Sequence, residues 1–224
     1  MKVILFGATG MVGQGVLREC LLDDGVEHVL TVGRTATGQQ HAKLREVVLA
    51  DLLHPASIEG ELAGYDACFF CLGVSSAGMK EPDYQRVTHD ITLAAARTLV
   101  KQNPDMAFIY VSGAGTDSTE QGRVMWARVK GRVENALLGL PFKAKYMFRP
   151  AFIQPLHGIV SKTKAYRVLY SVTGPLFPVW KALFPKYVTT TEWVGRAMLQ
   201  AARHGAPKSV LENADINALA RAAG

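Results

Sequence analysis

Three glycines, Gly7, Gly10 and Gly13, are spaced Gly-x-x-Gly-x-x-Gly in GATGMVG. The apolar run KVILF precedes them, and Val12, Val16 and Cys20 follow at the four-residue spacing of a helix face. A strand that hands over to a helix through bare glycines aims unpaired N–H groups and the positive end of a helix dipole at one point. An anion the size of a diphosphate fits there. A second candidate is Arg34, in VGRT at the end of the next apolar run. A carboxylate at that place would take a sugar 2′-hydroxyl, whereas a guanidinium forks onto a phosphate. The third is MWARVKGRVE, residues 125–134, where Trp126 and Lys130 stand four apart and share a helix face. An indole N–H donates hydrogen bonds but has no usable proton to give, so Trp126 cannot serve as an acid.

Two other groupings carry less. Cys68 and Cys71 spell Cys-x-x-Cys inside ACFFCLG, which reads as a buried strand. Residues three apart in a strand point to opposite faces, and metal or redox pairs need converging sulfurs. The six histidines show no ligand spacing with Cys or acids, so no metal site is expected.

The elements that must position these residues follow from hydrophobic patterning. KVILF (2–6), VEHVLTVGR (26–34), LREVVLAD (44–51), YDACFFCLG (65–73), MAFIYVSG (106–113) and AKYMFRP (144–150) are apolar with little alternation, as in parallel strands covered on both faces. Val87, Ile91, Ala95 and Leu99 mark a helix from Pro82 to about Lys101, and a further helix runs from about Gly122 to Leu138. Such β-α alternation predicts an α/β doubly wound parallel sheet of Rossmann type over the first 150 residues. In TTTEWVGRAMLQAARHG, Thr190 or Thr191 caps a helix with the apolar face Val194, Met198 and Ala201, closed by Gly205. A strand SVLE and a terminal helix from about Asn213 end the chain. The expectation is one domain over 1–224, with 151–224 forming a small helical cap or lid over the strand ends.

At 224 residues the chain is long enough for a single core. Hydrophobic residues are 49% and charged residues 20%, which excludes a disordered chain. Three cysteines without a framework fit a reducing compartment, and the apolar run after Met1 is too short for a secretory leader, so a cytoplasmic address is expected. Gly174, Pro175, Pro178 and Lys181 interrupt the apolar stretch 168–184, against a membrane span. The net charge of +6 suggests an anionic ligand, but Lys and Arg are dispersed and nucleic acid is not supported. Phe177, Trp180 and Phe184 beside Lys181 and Lys186 suit a lid over the crevice first, and a partner or homo-oligomer surface within 168–187 second.

GATGMVG, VGR, Asp51-Leu52, CLG, VSGAG, VKGRVE, FRP and LENADINAL together resemble the atypical short-chain dehydrogenase/reductases, within them the branch of the Tat-interactive oxidoreductase. The words span nearly the whole chain. The resemblance implies that Gly7, Thr9, Gly10, Met11, Val12 and Gly13 hold the pyrophosphate of a dinucleotide, with Arg34 at the 2′-phosphate, so that NADP(H) is favoured over NAD(H). It implies Asp51 and Leu52 at adenine, Cys71, Leu72 and Gly73 under the adenosine ribose, and Pro150 and Ala151 beside the nicotinamide. Ser112 matches the serine that faces substrate, and Lys130 the lysine that binds the nicotinamide ribose. The departure is Trp126, where the family pattern has a tyrosine as proton donor. Its ring can contact nicotinamide or substrate, or it can belong to a packing stripe with Val133 and Leu137; periodicity does not separate these.

Three functional readings follow. One is an NADP-dependent oxidoreductase of a small carbonyl or quinone-type substrate, with catalytic residues Ser112, Lys130 and Trp126 and a proton from Ser112, from Lys130 through water, or from Tyr84, Tyr166 or Tyr170. Another is an NADPH-binding sensor or scaffold without turnover. The last is a nucleotide-sugar epimerase or dehydratase, disfavoured because those enzymes keep Tyr-x-x-x-Lys and carry larger substrate domains.

Overall fold

The computed structural model describes residues 1–160, 184 and 186–223. Tyr166, Tyr170, Phe177, Trp180 and Lys181 lie outside the described residues, so most of the aromatic segment expected as a lid or partner surface does too. In chain order the elements are β1 (Lys2–Phe6), α1 (Met11–Leu22), β2 (His28–Gly33), β3 (Leu44–Val48), β4 (Ala67–Phe70), α2 (Glu81–Gln85), α3 (Ile91–Gln102), β5 (Ala107–Val111) and α4 (Met125–Leu138). They continue with β6 (Ala144–Arg149), β7 (Phe152–Gln154), β8 (Val188–Thr190), α5 (Thr191–His204), β9 (Val210–Glu212) and α6 (Asn213–Ala222).

Seven strands form one sheet in the order β3-β2-β1-β4-β5-β6-β9, every neighbouring pair parallel. The reversal of order beside β1 is the switch point where α/β sheets open a crevice at their carboxyl ends. Alternate side chains of β1 enter different cores. Val3 and Leu5 pack with α1, α5 and α6, while Ile4 and Phe6 pack with α3 and α4. Each such fully buried aliphatic or aromatic side chain contributes about 1.5–3 kcal/mol. On the second face Phe6, Phe70, Phe108 and Phe142 run across the sheet with ring centroids 5.1, 6.0 and 5.0 Å apart. Cys68 belongs to that face and Cys71 to the other, and both are free, as alternation requires.

The boundaries differ from the sequence reading where side-chain chemistry overrides periodicity. The long helix after Pro82 is α2 and α3 joined by a π-helical turn, Arg86–Asp90. The helix expected from Gly122 begins at Met125, because residues 113–124 form a loop folded back on it, with Asp117 N–H donating to the Ala127 carbonyl. Of the stretch expected as a cap, β9 joins the sheet beside β6, and α5 covers its first face against α1. Thr190 caps α5 by accepting from Trp193 N–H at 3.0 Å, and Gly205 ends it at φ +79°. Among the described residues no helix is long and apolar enough to cross a membrane.

The returning loop comes so close to α4 that a Cβ on Gly131 would lie 1.8 Å from the Asp117 carbonyl oxygen. Gly131→Ala is therefore expected to lower unfolding stability by at least ~1–3 kcal/mol, read from the urea midpoint, because the obstacle is backbone that cannot rotate away. An unchanged midpoint would show that the loop can lift off the helix.

Candidate functional site

The carboxyl ends of β1, β4 and β5 meet the amino end of α1. Gly7 follows β1 at φ +82°, a left-handed value that disfavours side chains. A Cβ there would lie 2.6 Å from the Cys71 carbonyl carbon, and one on Gly13 would lie 2.1 Å from the Gly7 carbonyl oxygen. Both positions need glycine for α1 to start directly against the strand. Gly10 is the N-cap of α1 and makes no side-chain cap bond, and the first turn holds no acidic residue. The amides of that turn are thereby offered to an outside anion.

A cavity of about 410 Å³ opens between this turn and the end of β2. Arg34, Thr35 and Thr37 line one side, Leu52 and Leu72 the other, and no carboxylate is among the described lining residues. Glu46 of β3 sits behind the wall and accepts from Thr31 Oγ1 at 3.0 Å and Thr37 N–H at 2.8 Å, so its charge is spent on protein donors. Asp51 lines neither cavity. Its carboxylate accepts from Leu53 N–H at 2.9 Å and lies 2.8 Å from His54 Nδ1.

A second cavity of about 870 Å³ continues from the first, sharing Gly7, Thr9, Arg34 and Leu72. Gly10, Met11 and Val12 line it at α1, with Cys71 and Gly73 after β4. Ser112, Trp126, Lys130, Pro150 and Ala151 face the same space. Of the described residues that the resemblance places at the cofactor or the reacting atoms, only Gly13 and Asp51 fall outside both linings, and Gly13 acts through packing on Gly7. Ser75 and Ser76 also line the larger cavity, although no motif in the sequence marks them. Their position just after a strand's carboxyl end was the available signal.

Lys130 is brought there by the second turn of α4, and its Nζ donates to the Ser112 carbonyl oxygen. Burial of the ammonium pushes its pKa down to about 8, and Glu134 one turn further on pulls it partly back. Ser112 is buried; its hydroxyl donates to the Phe148 carbonyl at 3.1 Å, and its N–H to the same oxygen at 2.8 Å. Trp126 is half-buried and faces the cavity, while Val133 and Leu137 further along the helix enter the core. Trp126 thus lines the cavity and does not enter the core with Val133 and Leu137. Tyr84 is buried at the same cavity wall.

Ion pairs hold α4 at both ends. Glu81, at the start of α2, accepts from Arg128 and Arg132 at 2.5 Å each, and the two guanidinium groups hold its carboxyl below the usual range. Toward the other end buried Glu134 pairs with Arg149 of β6, which also reaches Glu212 at 3.3 Å and Ser118 Oγ at 2.6 Å. That network ties α4, β6, the returning loop and the N-cap of α6 around Pro150. The words VKGRVE and FRP therefore touch in space.

The sequence model of a family described as NAD(P)H-binding matches residues 7–145. The chain belongs to this NAD(P)H-binding family. The glycine cradle and the uncapped start of α1 fit the diphosphate of such a cofactor. Curated relatives of this NAD(P)H-binding protein include protein fmp52, mitochondrial, of Emericella nidulans, 25% identical over 89% of this chain and 86% of that one. Protein fmp52-2, mitochondrial, of Aspergillus oryzae is 27% identical over 97% and 96%. Among solved structures, the Bordetella bronchiseptica enzyme WbmF in complex with NAD+ superposes with a TM-score of 0.66 at 16% identity, over 97% of this chain and 76% of that one. A UDP-N-acetylglucosamine 4-epimerase from Methanobrevibacter ruminantium M1 does so at 0.68 and 13% identity, over 93% and 74%. These structures establish the α/β Rossmann-like fold of the NAD(P)H-binding chain.

The depressed Lys130 pKa has a stability consequence whose sign is fixed. Between about 8 and the ordinary lysine value of 10.5 the unfolded chain binds more protons than the folded one, so this residue makes stability rise with pH across that window. Lys130→Met is expected to be more stable than the parent at pH 7. That advantage should shrink by on the order of 1–3 kcal/mol by pH 10, measured as the difference in urea unfolding free energy. A pH-independent difference would mean that the ammonium is fully solvated.

Proposed function

We propose that the chain is an NADP(H)-dependent oxidoreductase of the Tat-interactive branch of atypical short-chain dehydrogenase/reductases, acting on a small carbonyl- or quinone-type substrate with Trp126 in place of the usual tyrosine. One observation carries this reading: the glycine turn, Arg34, Ser112, Trp126 and Lys130 all line one continuous crevice. The bound dinucleotide would supply hydride. The amides of the Gly7–Gly13 turn neutralise its diphosphate, Leu52 and Leu72 cover the adenosine end, and Arg34 takes the 2′-phosphate in a cavity without a lining carboxylate. Lys130 Nζ binds the nicotinamide ribose, and Ser112 turns its hydroxyl from the Phe148 carbonyl to the substrate oxygen. Pro150 and Ala151 close the far wall.

A second reading, an NADPH-binding sensor, is favoured by two facts: the Ser112 hydroxyl is engaged with backbone, and no phenol stands at position 126. Loss of a positioned proton donor lowers rate by about 10²–10⁴-fold without loosening the cofactor. The epimerase reading has less support, since the missing phenol is the acid-base group on which that chemistry turns.

Titration of NADPH and NADH by fluorescence energy transfer tests the cofactor assignment. Arg34→Ala is expected to weaken NADPH by roughly tenfold to a hundredfold, the scale of a lost charge-assisted pair, and NADH far less. Equal losses would remove Arg34 from the 2′-phosphate. NADPH oxidation across aldehydes, ketones and quinones, lowered by Ser112→Ala, supports the oxidoreductase. Tight binding with no turnover anywhere on that panel supports the sensor.

A further inference from the structure

We infer that the substrate of this crevice is a flat conjugated diketone of the quinone class, seated against the face of Trp126; the inference rests on the oxidoreductase reading above and narrows it. The indole is placed as a wall and is not needed as filling. Ala127, Val129, Val133 and Leu137 make the buried side of α4, whereas Trp126 stays half-buried at the cavity. The tip of its six-membered ring lies beside Gly115, at φ +84°, where even an added Cβ would stand in ordinary contact at 3.6 Å. Val74, Val111, Pro150 and Ile153 line the same cavity. A rigid aromatic plane among aliphatic walls favours a planar ring by offset stacking.

The proton inventory points the same way. No carboxylate or imidazole is among the described residues lining the cavity, and position 126 carries no phenol; the Ser112 hydroxyl is held on the Phe148 carbonyl and Lys130 Nζ on the Ser112 carbonyl, with Tyr84 buried in the wall. Reduction of a saturated ketone drives its oxygen toward an alkoxide, so a positioned acid is needed. A quinone accepts hydride, which carries two electrons and one proton, and becomes an aromatic phenolate. Its conjugate acid sits near the phenol value of about 10, so water can supply the second proton and complete the hydroquinone. One C=O of the ring becomes C–OH by each proton, and the dinucleotide leaves oxidised. Such a substrate removes the requirement that the tyrosine normally meets, and uses the ring that replaced it.

The test uses tetramethyl-1,4-benzoquinone, which has no ring hydrogen at which the cavity thiol of Cys71 could add. With NADPH, the full chain is expected to reduce it in preference to hexanal and cyclohexanone. In a separate calorimetric titration the same quinone is added to protein saturated with NADP+, where no hydride can move. Trp126→Leu should weaken that binding about threefold to tenfold and raise KM more than it lowers kcat, while Trp126→Phe keeps most of both. Circular dichroism of each variant confirms folding, and the Phe variant preserves the comparison if the Leu variant fails to fold. Preference for hexanal or cyclohexanone would overturn the quinone assignment and leave the oxidoreductase standing, as would quinone binding indifferent to Trp126→Leu. NADPH binding without turnover of any of the three overturns the oxidoreductase reading, and this inference with it.

Discussion

Two backbone approaches closer than any side chain permits organise the crevice: Gly7 against Cys71, and Gly13 against Gly7. They bring the first turn of α1 flush with the carboxyl ends of β1 and β4. A parallel sheet collects all its strand ends on one side, so an anion bound at that turn lies within reach of loops from β2, β4, β5 and β6. A methyl group at either glycine would push the helix away and separate its dipole from those loops. Two hydrogen atoms in place of two methyls thus set where the negative charge of a ligand can rest, and the remaining contacts are arranged around it.

The second organiser is α4, which carries Trp126 and Lys130 on one face and the buried carboxylate of Glu134 one turn on. Taking Glu134 and Arg149 out of water costs several kcal/mol per ion before their attraction is counted, so the pair is better understood as a device for register than as a source of stability. Its extra bonds to Glu212 and Ser118 fix three otherwise separate segments on the guanidinium. The same carboxylate favours the charged state of Lys130 while burial opposes it, which leaves the ammonium with a pKa of about 8. A structural pair and a cavity-lining lysine are therefore coupled through one residue.

Much of this was written in the sequence because the responsible signals are local. The strand, glycine turn and helix at the amino terminus, the cap at Thr190 and the opposed faces of Cys68 and Cys71 follow from spacing alone. What was hidden depends on contacts between distant segments. Nothing near Gly131 announces the loop that crosses it at Asp117, so α4 starts later than its pattern suggests. SVLE reads as an isolated short strand, and only its pairing with β6 makes it the edge of the sheet. The Asp51 side chain bonds to Leu53 and His54 and lines neither cavity, a local arrangement that spacing does not reveal. A helical stripe through Trp126 looks the same whether it meets a core or a cavity, so spacing alone does not place the ring.

On the proposed reading, the residues that grip the cofactor and those that serve chemistry line one crevice. Rigidity is what separates a slow or specialised enzyme from a sensor. A sensor needs an element with two arrangements that the ligand binds unequally, by about 5.5 kcal/mol for a nearly complete shift. Among the described residues α4, which lines the larger cavity with Trp126 and Lys130, is tied down. Glu81 clamps α4 to α2 through two arginines, Glu134 and Arg149 clamp it to β6, and the returning loop is locked to it where only glycine fits. A helix braced in this way holds Trp126 and Lys130 at fixed positions, the condition under which preorganised groups act on a bound ligand.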